Sequence, residues 1–381
     1  MPSRASVVVI GGGAMGTSVA YHLSRAGVRD VVLIERGQLG CGSTSKAAGG
    51  IRAQFSDELN IRLGARSLEA FARFAEEPGH DIGLRRVGYL FLLSTPEQVA
   101  SFEAGVRLQN GLGVPSRMID TAEARRLSPL ISTDGLLAAA FSPDDGHCTP
   151  EAVVRGYADA ARRHGAVIVR HCEVTGIETR GSQITAVLTS RGRIVTPDVI
   201  CTAGAWSASV GAMAGVDLPV QPLRRQIAVT GAVPGMPSDV PMTIDFDTSF
   251  YFHGEGPGVL LGMSDPEETP GFRTTVSDAW LPRLYSAMSR RVPALLDARA
   301  TGAWAGLYET TPDHNALIGE AGGPTRFLYA TGFSGHGFLQ APAVGEVVRD
   351  LYLGDEPFVD VFPLRTERFG AQETRPEANL V

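Results

Sequence analysis

Lysine is almost absent from this chain of 381 residues: of its 34 basic side chains only Lys46 is a lysine, and the others are arginines. Its 41 acidic residues outnumber the basic ones and give a formal net charge of −7. Nucleic acids and anionic membranes bind clustered positive charge, so we expect neither as a partner. A lone lysine inside a motif is also a better candidate for chemistry than one of many.

Long apolar runs and paired cysteines are missing as well. The sequence contains no run of about 18 apolar residues, so we expect no membrane span. Its four cysteines are scattered without a CxxC pair, which argues against a structural metal or a disulfide framework. The first residues show no signal-peptide pattern, so a reduced, cytoplasmic protein without a metal is expected.

The composition that remains is that of a folded protein. Hydrophobic residues make up 44% and charged residues 20%, enough for a sizeable core. The length predicts one or two compact domains. Apolar periodicity and capping residues predict helices over 56–78, 96–110 and 150–165, and strands over 87–93 and 199–202.

The first forty residues carry a dinucleotide-binding pattern. A continuous apolar strand over 6–10 leads into a glycine-rich turn and a helix. In that turn, Gly11 permits the sharp bend, Gly13 admits a pyrophosphate and Gly16 brings helix and strand together. A second strand ends in Glu35, 19 residues after Gly16, where a carboxylate accepts the ribose hydroxyls. These features together predict a Rossmann-like unit.

The segment after Glu35 favours FAD over NAD. Residues 36–52 are rich in glycine and serine and show no helical period. We expect this segment to lie extended along a ligand, with small residues where the backbone approaches closely. The longer FAD can use such a second cradle, which a nicotinamide dinucleotide does not need.

Four motifs together resemble a known flavoprotein family. They are Gly11–Gly16 with Glu35, Gly42–Gly50, Thr202–Ser207 and Gly332–Phe338. In these stretches the chain is similar to the amine- and amino-acid-oxidising flavoproteins, which include D-amino acid oxidase, glycine oxidase and sarcosine oxidase. The last motif is most similar to the sarcosine oxidase branch.

The resemblance implies an α/β fold, α+β overall, with a Rossmann-like FAD-binding domain interleaved with a substrate domain built on a β-sheet. The FAD-binding domain is expected to be discontinuous, over 1–80, 144–209 and 311–365. The substrate domain is expected over 81–143 and 210–310. We expect the polar tail, 366–381, to be frayed.

The resemblance also implies which residues contact FAD. Carried over position by position, they are Gly11, Gly13, Ala14, Met15, Gly16, Glu35, Arg36, Ser43, Thr44, Lys46, Ala47, Gly49, Gly50, Ile51, Val174, Ala203, Gly204, Trp206, Gly335, His336, Gly337, Phe338 and Leu339. In the family, backbone N–H groups of the 332–337 loop face the pyrimidine edge of the flavin. Such donors stabilise the negative charge of the reduced ring.

Three residues are candidates on the substrate side. Arg52 stands where sarcosine oxidase-like proteins bind the substrate carboxylate, and a guanidinium suits that group bidentately. Tyr308 falls at the position of a substrate-side tyrosine, with core packing as the alternative. His336 is either a hydrogen-bond partner of the flavin or a structural histidine. With Lys46, the last two form the predicted catalytic set.

The sequence departs from the resembling family in ways that bear on attachment and oxygen use. Gly306 stands where monomeric sarcosine oxidases carry the cysteine that bonds covalently to flavin, and the early motif reads Ser45-Lys46, without the flavin-bonding histidine of the dimethylglycine dehydrogenase kind, so non-covalent FAD is expected. Leu260 replaces an oxygen-activating lysine, and Leu339 a lysine that helps hold the carboxylate. Use of oxygen as acceptor therefore requires Lys46 or an arginine to substitute.

The sequence thus predicts an FAD-dependent oxidoreductase that converts a secondary amine or α-amino acid to an imine by hydride transfer to flavin N5. Oxygen or another electron acceptor is the expected second partner. Three alternatives stay open: a 2-hydroxy-acid dehydrogenase with His336 or His253 as base, a flavoprotein subunit that needs a partner chain, and a non-catalytic assembly factor that retains FAD.

Overall fold

The computed structural model of the protein describes residues 1–371 and 376–379. The strands in those residues are β1 (Val7–Ile10), β2 (Val31–Ile34), β3 (Gly50–Ile51), β4 (Tyr89–Leu93), β5 (Arg117–Ile119), β6 (Ala138–Ser142), β7 (Gly146–His147), β8 (Val167–Val169), β9 (Val174–Arg180), β10 (Gln183–Thr189), β11 (Gly192–Val195), β12 (Asp198–Cys201), β13 (Gln221–Thr230), β14 (Met242–Asp245), β15 (Phe250–Glu255), β16 (Gly258–Met263), β17 (Ala300–Thr310), β18 (Leu317–Glu320) and β19 (Phe327–Thr331). The α-helices are α1 (Ala14–Arg25), α2 (Glu58–Ala72), α3 (Pro96–Gly111), α4 (Thr121–Leu127), α5 (Pro150–Arg163), α6 (Ser207–Met213), α7 (Trp280–Arg291), α8 (Gly337–Leu353) and α9 (Arg368–Ala371). Short 3-10 helices cover Thr44–Lys46, Gly204–Trp206, Pro293–Leu295 and Phe362–Leu364.

Helix starts follow the capping residues of the sequence. The Asp57 side chain accepts the N–H of Asn60 at the start of α2. Thr95 and Gln98 form a reciprocal capping box at the start of α3. These side chains satisfy backbone donors that have no partner within the helix. The helix predicted over 56–78 ends at residue 72, earlier than expected.

A six-stranded sheet forms the dinucleotide side of the molecule, in the order β18-β19-β12-β1-β2-β8. Its central strands are parallel, and both faces of β1 are buried. Val7 and Val9 pack into the core formed with α1, α5 and α8. Val8 and Ile10 face the opposite core, under the β9-β10-β11 meander. Burial on both faces explains the unbroken apolar runs of these strands.

An eight-stranded, mainly antiparallel sheet forms the other half, in the order β17-β13-β16-β15-β14-β4-β6-β5. Its longest pairing joins β13 to β17, from Gln221 opposite Thr310 to Thr230 opposite Ala300. On one face, α7 packs its buried Trp280 against the sheet, and the indole N–H donates to the carbonyl of Met263. This sheet supplies the second wall of the site.

Chain order interleaves the two halves. The first sheet takes strands from 7–34, 167–201 and 317–331, and the second from 89–142 and 221–310. The predicted mixed α/β fold, with a Rossmann-like unit interleaved with a sheet, is confirmed. The individual domain boundaries stay a prediction.

The expectation of a frayed tail from residue 366 onward is wrong for the residues that the structure describes. Arg368 is 9% exposed, and its guanidinium bonds both carboxylate oxygens of Asp313, at 2.8 and 2.9 Å. Glu377 is buried and accepts the backbone N–H of Ser56 at 3.0 Å. A polar composition misled the prediction, because these polar groups meet partners contributed by distant parts of the chain.

Within residues 1–371 and 376–379, no helix has the length and apolar character needed to cross a bilayer. In the same residues, no group of three or more His, Cys, Asp or Glu side chains is arranged to hold a metal ion. All four cysteines are free thiols.

Candidate active site

A cavity of about 1000 Å³ lies where the two sheets meet. Its wall includes the ends of β1, β2 and β12 on one side, and residues of β13, β14 and β17 on the other. The carboxyl ends of parallel strands are the usual place for a ligand in such sheets. Nearly all the predicted FAD-contacting residues line this cavity: Gly11, Gly13, Ala14, Met15, Glu35, Arg36, Ser43, Thr44, Lys46, Ala47, Gly49, Gly50, Val174, Ala203, Gly204, Trp206, Gly335, His336, Gly337, Phe338 and Leu339.

Two of the predicted contacts, Gly16 and Ile51, do not line the cavity. Gly16 is pressed against the turn, because a β-carbon there would lie 1.8 Å from the carbonyl oxygen of Gly11. This close approach is the helix–strand packing that the motif predicted. Ile51 is 1% exposed and belongs to the apolar core beside α1 and α5. Its side chain therefore has a structural role.

Close backbone approach shapes the glycine-rich turn. Gly11 has a φ of 109°, and a β-carbon there would lie 2.4 Å from the carbonyl oxygen of Thr202. Only glycine satisfies both conditions. The turn ends at Gly13, after which α1 begins with its N-terminus beside the cavity. Free N–H groups and the positive end of the helix dipole there favour a phosphate.

Glu35 is held by the backbone of its own neighbourhood. One carboxylate oxygen accepts the N–H of Gly12 and the other accepts the N–H of Gly37, both at 2.7 Å. These bonds fix the carboxylate at the end of β2, where it lines the cavity. Each oxygen keeps a lone pair that can accept a ribose hydroxyl.

An aromatic stack stands beside Glu35. The Arg36 guanidinium lies 3.9 Å from the centre of the Trp206 ring, and that ring stacks on Phe272 with centroids 5.7 Å apart. Phe272 lies between β16 and α7, in the part of the chain that builds the second sheet. The stack therefore connects the two halves of the molecule across the cavity edge.

The second cradle is more ordered than the sequence predicted. The expectation of an extended segment is wrong at Thr44–Lys46, which form a turn of 3-10 helix. The Thr44 hydroxyl accepts the N–H of Ala14 at 3.1 Å, and the Ser43 hydroxyl donates to the carbonyl of Leu307 at 2.6 Å. These bonds join the cradle to α1 on one side and to β17 on the other.

The loop before α8 uses many of its backbone donors internally. Glu309, which the sequence analysis missed, accepts the N–H of Gly332 at 3.0 Å and the hydroxyl of Thr331 at 2.7 Å. The N–H groups of Ser334 and His336 donate to the carbonyls of Glu309 and Phe333. Fewer loop donors therefore remain for a ligand than the glycine pattern suggested. Burial raises the pKa of Glu309 to about 7.

Arg52 lies at the inner wall of the cavity and is 4% exposed. Its guanidinium donates to the carbonyl of Gln54, donates at 2.7 Å to the carbonyl of Asn379, and lies 3.3 Å from Nε2 of His336. Burial lowers the pKa of Arg52, although arginine remains charged at neutral pH. Part of the fork is thus used by the chain itself, although Arg52 still lines the cavity.

His336 is a neutral imidazole in this setting. Burial, followed by the charge of Arg52, lowers the pKa of His336 to about 3. Its ring meets Phe55 edge-on, with centroids 4.9 Å apart. His336 therefore contributes a polar surface to the cavity without a positive charge at neutral pH.

Tyr308 and Arg225 form the opposite wall. The Arg225 guanidinium lies 5.0 Å from the centre of the Tyr308 ring. That ring in turn contacts the loop, since a β-carbon on Gly335 would lie 2.5 Å from it. Burial raises the pKa of Tyr308, so the phenol stays protonated. Arg225 was missed because nothing in its local sequence distinguishes it from the other arginines.

A comparison with protein families matches residues 6–351 to the family described as FAD dependent oxidoreductase. The chain belongs to this family. FAD is accordingly its cofactor, and the predicted kinship with sarcosine- and amino-acid-oxidising flavoproteins is confirmed. The glycine turn, the fixed Glu35 carboxylate and the cradle that joins both halves fit an elongated dinucleotide.

The chain is similar to several proteins whose names are known. The chain is 31% identical over 391 residues to the mitochondrial dimethylglycine dehydrogenase of Rattus norvegicus, covering 97% of this chain and 45% of that protein. It therefore spans about half the length of the curated relatives it matches. The crystal structure of L-proline dehydrogenase from P. horikoshii has a TM-score of 0.92 and 33% identity, covering 98% of this chain and 100% of that one. Glycine oxidase from Geobacillus kaustophilus has a TM-score of 0.86 and 27% identity, covering 95% and 98%.

Gly306 and the Ser45–Lys46 stretch, where the resemblance places the covalent flavin attachments of different relatives, meet in space. A β-carbon on Gly306 would lie 2.5 Å from the β-carbon of Lys46. The Lys46 backbone carbonyl accepts the indole N–H of Trp304 at 3.1 Å, which holds the cradle against β17. Lys46 is exposed and lines the cavity. Neither residue carries the side chain that those relatives use for attachment.

Leu260, Leu339 and His253, which the sequence analysis also named, differ in their relation to the cavity. Leu260 is 4% exposed within β16 and lies outside the cavity wall, whereas Leu339 lines the cavity. His253, one candidate base of the hydroxy-acid alternative, does not line the cavity. Its Nε2 lies 2.9 Å from the carbonyl of Ala48, and burial lowers its pKa. His253 therefore supports the cradle from behind.

Proposed function

We propose that the chain oxidises a secondary amine or an α-amino acid to the corresponding imine, with non-covalently bound FAD. The observation that carries this proposal is the buried Arg52 guanidinium on the cavity wall beside the 332–337 loop. A guanidinium in that position offers a carboxylate charge-assisted hydrogen bonds in a largely dry setting.

The side chains around the cavity suit a neutral amine. Arg52 and Arg225 both line it, and neither has an ion-pair partner among the described residues. Two nearby positive charges lower the pKa of a bound ammonium and so favour its uncharged form. His336 stays neutral, so it adds no further repulsion. Loss of hydride requires this neutral amine, whose lone pair stabilises the cation that forms.

Bound FAD supplies the acceptor for the hydride, which carries two electrons and leaves from the carbon attached to nitrogen. The chain's own contribution is position and exclusion of water. Apolar side chains of Ile227, Met242 and Ile244 line the cavity beside the polar groups. Much of the rate acceleration is then due to orientation of the substrate rather than to an acid–base pair.

The electron acceptor that reoxidises the flavin is a separate part of the proposal. Leu260 and Leu339 provide no positive charge, and the lysine and arginine side chains on the cavity wall are Arg36, Lys46, Arg52 and Arg225. We propose a dehydrogenase that passes electrons to another acceptor or to a partner subunit. We also propose that the protein is located in the cytoplasm.

Anaerobic flavin bleaching tests the function directly. The holoprotein is mixed with N-methyl amino acids, cyclic imino acids, D- and L-amino acids and 2-hydroxy acids. Bleaching by amines with an acidic group, and not by 2-hydroxy acids, is the expected result. Bleaching by hydroxy acids alone contradicts the proposal, and a spectrum unchanged by every compound favours a non-catalytic FAD-binding protein.

A further inference from the structure

Arg225 is placed on the cavity wall by the register of the β13–β17 pair. It stands opposite Gly306, and Tyr308 is the diagonal neighbour two residues along β17. Side chains at directly opposite and diagonal positions share one face of an antiparallel pair. Since residue 306 has no side chain, the Arg225 guanidinium extends over the Tyr308 ring and lines the cavity.

The hydrogen-bonding capacity of Arg225 is largely unused. Its Nη1 donates to the carbonyl of Arg224 at 3.1 Å. Its Nε is buried and has no partner, and no described residue accepts from Nη2 or lies within ion-pair distance. The adjacent Arg224 differs, because Glu268 at 2.7 Å and the carbonyl of Thr275 satisfy it. A buried donor without a partner is costly, so an unpaired Nε–Nη2 edge indicates a ligand.

Arg52 and Arg225 do not duplicate one another. Two chain carbonyls hold Arg52, and the buried carboxyl groups of Asp145 and Glu377 lie close enough to raise its pKa against the effect of burial. No described carboxylate lies within ion-pair distance of Arg225. The two guanidiniums act on the same Tyr308 phenol, because the charges of both favour its ionised form. The cavity thus presents two separate cationic positions around one tyrosine.

We propose that the substrate carries a second anionic group, which the Nε–Nη2 edge of Arg225 binds bidentately while Arg52 holds the α-carboxylate. The inference rests on the proposed function and narrows its substrate to amino acids or N-alkyl amino acids with an additional carboxylate. Tyr308, whose ring lies under the Arg225 guanidinium and which lines the same cavity, would donate its hydroxyl to one of the carboxylates.

Matched substrate pairs test the inference. Anaerobic flavin reduction by the holoprotein is measured with N-methylaspartate against N-methylasparagine and N-methylalanine, and with glutamate against glutamine, in both enantiomers. The acidic member of at least one pair is expected to reduce the flavin with an efficiency about 100-fold higher, as for a charge-assisted bond. Equal or higher efficiency of the neutral member in every pair overturns the inference.

The variant Arg225→Met separates the roles of the two arginines. It is expected to lower the efficiency with the dianionic substrate about 100-fold and to lower that with the monoanionic one far less, because only the dianion loses a bidentate bond. Arg225→Lys, which keeps the charge but loses the bidentate edge, is expected to fall between. Arg180→Met, at an exposed position on the meander, is the matched control. Equal losses with both substrate classes make Arg225 the sole carboxylate anchor and overturn the inference.

Binding of an unreactive dicarboxylate, such as succinate, supplies a readout that does not depend on turnover. Its Kd is measured by the change in the flavin spectrum and by calorimetry. The inference is supported if succinate binds with a lower Kd than propionate and Arg225→Met abolishes this difference. This support holds even if no amine bleaches the flavin, because a lack of bleaching contradicts only the proposed function. Equal Kd values for the two acids in the wild-type protein overturn it. Flavin content of each variant reports whether it has folded.

Discussion

Lys46 occupies the space over Gly306: its β-carbon lies 2.5 Å and its γ-carbon 3.2 Å from where a β-carbon on residue 306 would stand. The cradle and strand β17 thus touch at the two positions that are associated with covalent flavin in different relatives. Residue 306 has no side chain, and the cradle can therefore approach strand β17 closely at this point.

Non-covalent attachment is the first consequence. Acid precipitation of the holoprotein is expected to release all yellow colour into the supernatant, because neither Lys46 nor Gly306 offers the thiol or imidazole used for attachment. The absorbance of supernatant and redissolved pellet measures the partition. Yellow colour that stays with the washed pellet would show a covalent bond.

The close contact itself predicts coupling between the two positions. Gly306→Ala is expected to weaken FAD retention or lower stability by about 1–3 kcal/mol, since the added methyl group overlaps Lys46. Lys46→Gly in the same chain removes the overlap and restores most of the loss. A double-mutant cycle of unfolding free energies measures the coupling. Additive single effects would mean that the cradle simply moves aside.

Arg52→Met is expected to lower kcat/KM for a carboxylate substrate by about 10²-fold or more, the loss of a charge-assisted bond of about 3 kcal/mol. FAD should remain bound, because none of the hydrogen bonds of Arg52 reaches the dinucleotide turn. Steady-state kinetics beside flavin content measures both effects. The exposed Arg180→Met serves as control. Unchanged kcat/KM would remove Arg52 from substrate binding.

Lys46→Met tests the lone lysine in two measurements. If its ammonium activates oxygen, reoxidation of the reduced flavin by air slows by orders of magnitude while reduction by substrate changes little. If it instead binds a phosphate of FAD, affinity falls by about 1–3 kcal/mol and the bound fraction reoxidises normally. Because the exposed side chain lies over Gly306 at the cavity edge, we expect the reoxidation rate to stay unchanged. Stopped-flow reoxidation and a flavin-retention assay decide between these results.

Asp145 is expected to make stability depend on pH. Burial raises the pKa of Asp145 to about 7, above the unfolded value of about 4. Between these values the folded protein keeps a proton that the unfolded chain has lost, so this carboxyl group lowers stability as pH rises to 7. In Asp145→Asn the side chain can still accept the N–H of Ala53. The free energy of unfolding of this variant, relative to that of the wild type, should increase by about 2–3 kcal/mol between pH 5 and pH 8.

Urea unfolding at several pH values checks this prediction. The exposed Asp239→Asn is the control for replacing a surface aspartate by asparagine. A difference for Asp145→Asn that is flat across the same range would contradict the raised pKa.

The sequence predicted those parts of the site that depend on local backbone geometry. Gly16 is required by a contact within the turn and Gly11 by its positive φ, and Glu35 follows at the end of the next strand. Such requirements leave a pattern in consecutive residues. The neighbouring motifs predicted the cradle and the loop before α8 for the same reason.

Residues brought in by distant pairing left no such pattern. Arg225 reaches the cavity through its register opposite Gly306, and Glu309 through contacts with Thr331 and Gly332. Glu377 meets Ser56 across 321 positions of the chain. Each position depends on how strands and segments align in three dimensions, which composition and periodicity do not specify.

The bond between Arg52 and the carbonyl of Asn379 joins residues 327 positions apart. A ribosome that adds roughly 5–20 residues per second needs about 16–65 s to make that interval. For this time the nascent chain carries the guanidinium without one of its two carbonyl acceptors. The dinucleotide turn and the cradle are made before Asn379, so the substrate wall gains this bond only after both of them exist. The cofactor site and the substrate wall are therefore both expected to become complete only after the loop before α8 has been made, with the Arg52–Asn379 bond forming after that loop.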